Sequence, residues 1–329
     1  MRKKVILQNG AITISMPMIM FLVMLFLTKA NGIAYYGQSD MWRTIATNLG
    51  LTITMSCALA MQLRHGRFDF SGGANMILAG ILGCYYTQQF GGSPLLMLVL
   101  CVVFSVALSL ITATVYVRTK IPINICTIMM ALIYEALTLV LAGGNGVNIL
   151  NKQELNVFGK MPYTTIILVF AVIFYQVIIS LTPFGRKAKL LRNGQNIAVN
   201  IGINEKKNVM YSYLCSGLLL GLAAVIYVSQ NKVETQSNLS STSVLFSYIA
   251  SVYIGMFLGR LSLEIVGMLM GALTIQLMNY GLRALGYGSG GWNNVVFGIF
   301  MMTFWVISTN ADQIRIFLQK FKKNKLNTE

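Results

Sequence analysis

Acidic residues, histidine and proline are scarce in this chain, which has nine Asp and Glu, one His and five Pro in 329 residues. A single histidine, His65, with no Cys-x-x-Cys or Cys/His pairing, leaves no ligand set for a metal and no base for histidine-dependent catalysis. On its own His65 reads as a solvated loop residue. The five cysteines, Cys57, Cys84, Cys101, Cys126 and Cys215, all fall inside apolar runs and behave as small apolar side chains. No Gly-x-x-x-x-Gly-Lys-(Ser/Thr) run occurs, so ATP hydrolysis at a phosphate loop within this chain is excluded.

What the chain has in abundance is apolar sequence, at 56% of residues against 10% charged, with a mean hydropathy of +0.67. A hydrocarbon core about 30 Å thick needs roughly 20 apolar residues per helix. Ten runs meet that need, at 11–28, 43–62, 70–88, 94–117, 121–142, 164–181, 209–230, 244–262, 264–285 and 291–309. The fold class is all-α, a polytopic membrane protein of about ten transmembrane helices, some broken or re-entrant, in two pseudo-repeated halves. The first run follows a basic segment as a secretory signal does, but no Ala-x-Ala cleavage site follows it, and it reads as a retained first helix.

Cytoplasmic loops are enriched in Lys and Arg. Placing the N-terminus inside puts 19 of the 25 cations in the cytoplasm, while Lys29, Arg43, Lys152, Lys160, Lys232 and Arg283 face outward. Both termini are then cytoplasmic. The net charge of +16 is spread over many loops, with no basic helix interleaved with aromatics, and this argues for anionic lipid rather than nucleic acid as its partner.

Irregular backbone survives at membrane depth only where protein buries it or water reaches it, so interruptions of the spans mark candidate cargo sites. One lies at Gly66-Arg67-Phe68-Asp69-Phe70-Ser71-Gly72-Gly73-Ala74-Asn75, where Asp69 and Ser71 can cap the following helix. The plain alternative is that Asp69 only caps that helix and pairs with Arg67. A second runs from Ser240 to Gly271, punctuated by Gly255, Gly259, Gly267 and Gly271, whose spacing also suits close helix packing. Asp69, Ser71, Gly72, Gly73, Asn75, Gly255 and Gly259 are therefore candidates for the substrate pathway. Glu135 joins them, because an ionisable group at bilayer depth costs about 2.5–3.5 kcal/mol and must face the protein interior. Asn124 and Thr127 share its face at helical spacing.

The longest segment expected in the cytoplasm, residues 182–208, carries turn residues at Gly194 and Asn196, and 195–201 suits a short helix ended by Gly202. With these residues in view the chain resembles the permease subunits of ATP-binding-cassette (ABC) importers of the ribose/simple-sugar type, a group that also includes branched-chain amino acid, nucleoside and autoinducer-2 permeases. The family run Gly-x-x-Asp-Leu-Ser-x-Gly stands here as Gly66–Gly73. A second motif stands as Lys120-Ile121-Pro122-Ile123-Asn124-Ile125-Cys126-Thr127 followed by Gly143-Gly144. A third is matched by Thr182–Arg186, Gly194–Asn196, Ala198 and Gly202-Ile203. The second-half glycine motif survives only in Ile254–Ser262.

The resemblance implies a single permease domain over 1–329, a coupling loop at 182–208 and a basic tail at 310–329. It implies that Phe184, Gly185, Arg186, Gly194, Asn196, Ala198 and Gly202 engage partner ATPases, which bind ATP and Mg, and that this chain binds no cofactor. A second permease copy or paralogue, an extracytoplasmic solute-binding protein and a bacterial cytoplasmic membrane complete the expectation. The cargo expected is a small polar solute such as a monosaccharide, with nucleosides, autoinducer-2 and branched-chain amino acids as alternatives. An ion-gradient-driven transporter is the alternative of another class.

Overall fold

The computed structural model describes residues 2–193, 202–259, 263–288 and 291–310. Among these, helix dominates, and the only extended pairing is an isolated antiparallel bridge between Val147 and Val233. The helices are α1 (Arg2–Ala30), α2 (Ser39–Arg64), α3 (Ser71–Gln89), α4 (Pro94–Thr119), α5 (Ile123–Val140), α6 (Tyr163–Gln176), α7 (Pro183–Asn193), α8 (Glu205–Gln230), α9 (Ser240–Leu258), α10 (Glu264–Ala284) and α11 (Gly291–Thr309). Each of the ten expected spans has a helical counterpart, and eight helices are long and apolar enough to cross a membrane. The two short of that measure are α3 and α11, whose apolar part is Asn294–Thr309.

Physical reasons for the shortfall of α3 are plain in its sequence: Gly72, Gly73, Gly80 and Gly83 add little hydropathy, and Asn75, Gln88 and Gln89 subtract from it. Yet nearly all of α3 is buried, because its small residues let neighbours come close. A Cβ on Gly83 would stand 2.5 Å from Cys101 Sγ of α4, and one on Gly80 would stand 2.6 Å from Val228 Cγ1 of α8. Helix α8 meets α4 in the same way, with Gly217 against Ser109 and Gly221 against Val102. Interior glycines cost helix propensity; here they permit a three-helix core of α3, α4 and α8, joined by α5.

The chain forms two compact units, residues 42–252 and residues 1–41 with 253–329, and the boundaries fall inside α2 and α9. The first holds the core just described. In the second, α1 packs along α10. Met24 lies against Gly281, Tyr36 stacks on Phe21 at 5.8 Å, and the Tyr36 hydroxyl donates to the Leu277 carbonyl at 3.3 Å.

Three of the four glycines of the Ser240–Gly271 region do not break helices, contrary to expectation, while Gly259 stands in the turn just past the end of α9. Gly255 lies within continuous α9, and Gly267 and Gly271 lie within α10. A Cβ on Gly267 would stand 2.5 Å from the Gly255 carbonyl, and one on Gly255 would stand 2.6 Å from Met268 Cα. These are packing contacts of the Gly-x-x-x-Gly kind. A longer run of irregular backbone among the described residues lies earlier, between α8 and α9.

Candidate functional site

Two clusters in the 42–252 unit gather most of the polar candidates. The first begins where α2 ends. His65 and Gly66 donate their backbone N–H groups to Gln62 and Leu63, and Arg67 donates back to Gln62, so the chain turns sharply. Gly66 takes φ +73°, a left-handed conformation natural to glycine at a helix end, and a Cβ there would stand 3.3 Å from Arg192 Cα of α7. His65 is buried rather than solvated. Its Nδ1 lies 2.6 Å from the Met61 carbonyl, and its ring centre lies 4.7 Å from that of Phe184. Burial and the neighbouring Arg67 charge lower its pKa to about 4, so it is neutral at pH 7.

Arg67 is also buried, and its partners lie on α8. One guanidinium nitrogen donates to Asn208 Oδ1 at 2.9 Å and the other to Ser212 Oγ at 3.3 Å. Asn208 and Ser212 sit four residues apart on one helical face. Ser212 Oγ lies 3.2 Å from Gln62 Oε1, which closes the cluster onto α2. Asp69 accepts from the backbone N–H and hydroxyl of Ser71 at 2.8 and 2.6 Å. The N-cap position of α3 belongs to Phe70, so Asp69 reaches the first helical N–H from one residue earlier. Burial raises the Asp69 pKa, and the Ser71 bonds oppose that rise.

Beyond this turn the pathway candidates are tightly placed. Gly73 lies under α9, where a Cβ would stand 2.5 Å from the Ser241 carbonyl. Asn75 donates to the Ser105 carbonyl at 3.2 Å and to Ser109 Oγ at 2.8 Å, clamping α3 to α4. Thr127 is buried and accepts from the Phe70 N–H at 3.2 Å. Asn124, expected on the same inward face, is exposed. It stands one turn before Thr127, past the point where α3 begins and can cover it.

The second cluster is built on Glu135, about 18 Å along α5 at 1.5 Å per residue. Its carboxylate accepts from the Leu239 N–H at 2.7 Å and the Ser241 N–H at 2.8 Å, at the start of α9. Thr138 Oγ1 accepts from the Gln236 N–H at 2.8 Å. Segment 231–239 thus runs from its bridge with Val147 down to Glu135, well inside the length of α5. Asn238 and Leu239 both take positive φ, +53° and +61°. For Leu239 such a conformation costs roughly 1–2 kcal/mol. The anionic acceptor at a helix N-terminus offsets that cost. Glu135 is therefore committed to backbone donors, and segment 231–239, mostly exposed with Val233 buried, is a non-helical stretch that returns to α5 ahead of α9.

Of the coupling candidates, Gly194, Asn196 and Ala198 lie outside the described residues, as does the stretch 260–262 of the last motif. Phe184, Gly185 and Arg186 open α7. Gly185 packs on the Ile179 backbone, where no side chain fits, while Arg186 is exposed. Gly202 has φ +90° with open space where a Cβ would be, so only its backbone angle demands glycine. At the other end of the unit, a polar cleft of about 830 Å³ is lined by Gln88, Ser93, Asn151, Lys152, Gln153 and Glu154, with Lys152 Nζ bonded to Gln88 at 2.7 Å.

Sequence reasoning offered Arg67 only as a partner of Asp69 and missed its bonds to α8, and it missed His65, Asn208, Ser212 and Thr138 as structural partners. The signal for the α8 pair was present, as two polar residues one turn apart at the start of an apolar helix.

Comparison with known proteins gives this arrangement its context. The profile of the family described as "Branched-chain amino acid transport system / permease component" matches residues 41–305. The chain belongs to that family. It is 28% identical over 261 residues to the ribose import permease protein RbsC of Bacillus subtilis (strain 168), covering 76% of this chain and 78% of that protein. It is 25% identical over 274 residues to the fructose import permease protein FrcC of Rhizobium meliloti, covering 79% and 74%. To RbsC of Escherichia coli (strain K12) it is 24% identical over 244 residues, covering 71% and 75%. No solved structure matches the permease. The matched region spans both polar clusters and most of the residues that carried the resemblance.

Proposed function

We propose that this permease is the membrane-spanning subunit of an ABC importer and carries a monosaccharide into a bacterial cell. The observation that carries this reading is the similarity, over most of the chain, to permeases named for ribose and fructose import. The α7 region supports it further: a basic helix with exposed Arg186, whose first turn leans on the α2–α3 turn through Phe184, suits an element that takes up an external push and passes it inward.

In this reading both termini and α7 lie in the cytoplasm. Partner ATPases bind ATP and Mg and press on the 182–208 region. The polar cleft around Lys152 and Gln88 lies on the outer face, where a solute-binding protein delivers cargo. A second permease copy or paralogue completes the pathway. The sugar passes beside the start of α3 and the exposed face of α9, where Ser243 and Ser247 offer hydroxyl oxygens and Phe246 stands about 6.5 Å from both Phe68 and Phe70. Gly255 and Gly259 shape the packing of α9 on α10 rather than contacting cargo. An ion-gradient mechanism is not favoured, because the deep carboxylate of Glu135 is occupied by backbone N–H groups.

Reconstitution with a partner ATPase and a solute-binding protein tests the proposal. ATP-dependent uptake of a labelled pentose or hexose is the expected result. Uptake of leucine or a nucleoside with no response to any monosaccharide would reassign the cargo, and uptake driven by an ion gradient without ATP would overturn the importer reading.

A further inference from the structure

We propose that Arg67 is a positioning residue of the transport cycle, through which movement of α7 is passed to α3. The inference rests on the cytoplasmic coupling role proposed above for α7, and it assigns to the turn between α2 and α3 a task separate from contact with cargo.

Three contacts meet within three consecutive residues. The His65 ring lies against Phe184 at the start of α7. The Gly66 backbone lies against that of Arg192 near the end of α7. Arg67 then reaches the opposite way, to Asn208 and Ser212 on α8. Two residues later Asp69 binds Ser71, and α3 begins. The turn is thus gripped at both ends of α7, pinned to α8 and joined directly to the most enclosed helix of the unit.

What makes this arrangement transmit displacement is the kind of contact. Gly66 meets Arg192 backbone to backbone, with no flexible side chain between them to absorb a shift, and close-packed interiors pass strain on rather than dissipating it. Arg67 supplies the counter-hold. Its planar fork bonds two acceptors one helical turn apart, and Ser212 extends the hold to Gln62 of α2. A lysine keeps the positive charge but, as a single point donor, cannot hold Asn208 and Ser212 together. A push on α7 therefore turns the 65–69 segment about α8, and the start of α3 moves with it.

The competing reading is that Arg67 merely stabilises the end of α8. The two differ in one ratio, sugar taken up per ATP hydrolysed, because a structural defect lowers the amount of complex and both activities together. Arg67→Lys and Asn208→Ala would be compared with the parent in proteoliposomes holding permease, ATPases and binding protein, with Lys160→Gln, at an exposed lysine between α5 and α6, as a control. Arg67→Lys is expected to assemble within twofold of the parent and to lower the ratio at least tenfold. Asn208→Ala, which removes one bond and leaves the charge, should give an intermediate loss, and Lys160→Gln none. A ratio unchanged in both Arg67→Lys and Asn208→Ala overturns the proposal.

A cargo-free measurement separates failure of this inference from failure of the proposed function. A fluorescent thiol probe at Gln89, the far end of α3, should change its signal when ATP and vanadate trap the ATPases on the parent permease, and should stay silent in Arg67→Lys. The same signal in both, whatever the cargo proves to be, overturns the inference. A parent complex that moves its probe but takes up no sugar counts against the cargo alone.

Discussion

Glu135 and Arg67 are each buried beside an interruption of helical backbone in the same unit, yet they are held in opposite ways. Glu135 is an anion whose partners are the N–H groups of Leu239 and Ser241, fixed in place by the start of α9. Arg67 is a cation whose partners are the side chains of Asn208 and Ser212, each with rotamers of its own. Backbone donors at a helix N-terminus are preorganised and aligned with the helix dipole, so the first arrangement is stiff. Side-chain acceptors can follow a moving guanidinium, so the second can shift while keeping its bonds. The contrast separates a scaffold point from a joint, and α3 connects them, beginning at Asp69 beside the joint and lying under Ser241 at Gly73.

The largest effect that tests this contrast is expected from Glu135→Ala. Two backbone N–H groups, that of Ser241 buried and that of Leu239 partly so, lose their acceptor, at up to roughly 1–3 kcal/mol each, and Leu239 loses the bond that offsets its positive φ. Thermal unfolding of the purified permease should show a marked drop in midpoint, with Glu135→Gln, which retains one acceptor oxygen, falling about half as far. An unchanged midpoint for Glu135→Ala would remove the scaffold role. The sugar taken up per ATP by whatever complex survives should be close to the parent value, unlike the outcome for Arg67→Lys.

Next in size is the pH response of His65. Its folded pKa of about 4 lies below the ordinary value of 6.5. The folded state therefore resists protonation that the unfolded chain accepts. The stability this confers is fully present above about pH 6.5 and is lost as pH falls toward 4, on the order of 3 kcal/mol in all. The charged groups facing the ring are Arg67 and Arg64, both of which oppose its protonation, and Phe184 covers it. Stability measured from pH 7 to pH 4.5 should fall more steeply in the parent than in His65→Gln. Parallel slopes would return His65 to the solvated loop that the sequence suggests.

That misreading shows what a chain of this kind discloses. The membrane class, the all-α architecture and the family motifs were legible because each rests on local composition or spacing, whereas the count of ten spans exceeds the eight helices long and apolar enough to cross a membrane. Glu135 was legible as an interior residue, since its cost in lipid is intrinsic to the side chain. Its partners were not, because Leu239 and Ser241 lie more than a hundred residues on, and 231–239 carries no glycine or proline to mark it as a break between helices. The glycines at 255, 267 and 271 drew attention downstream, where they serve packing instead. Asn124 kept its place in the helical repeat but lost its neighbour, because periodicity says which face a residue occupies and not how far the adjoining helix extends. His65 is buried by Phe184, a contact that no local pattern near residue 65 announces.

The smallest expected effect concerns the rod between the two points. If α3 carries movement from the joint toward the scaffold, its clamp to α4 through Asn75 should matter for stiffness and little for recognition of cargo. Asn75→Leu removes two neutral hydrogen bonds, to the Ser105 carbonyl and Ser109 Oγ, at about 1 kcal/mol each, and Leu adds little volume in return. A modest loss in unfolding midpoint is expected, together with a sugar concentration for half-maximal uptake within about twofold of the parent. A side chain that touched the sugar would behave otherwise, since an unpaired polar contact at the cargo weakens half-saturation far more than folding. Should Asn75→Leu leave the midpoint intact and raise the half-saturating concentration tenfold or more, Asn75 belongs to the cargo path, and the assignment of α3 as a connecting rod would have to yield to one in which its first turns line the passage.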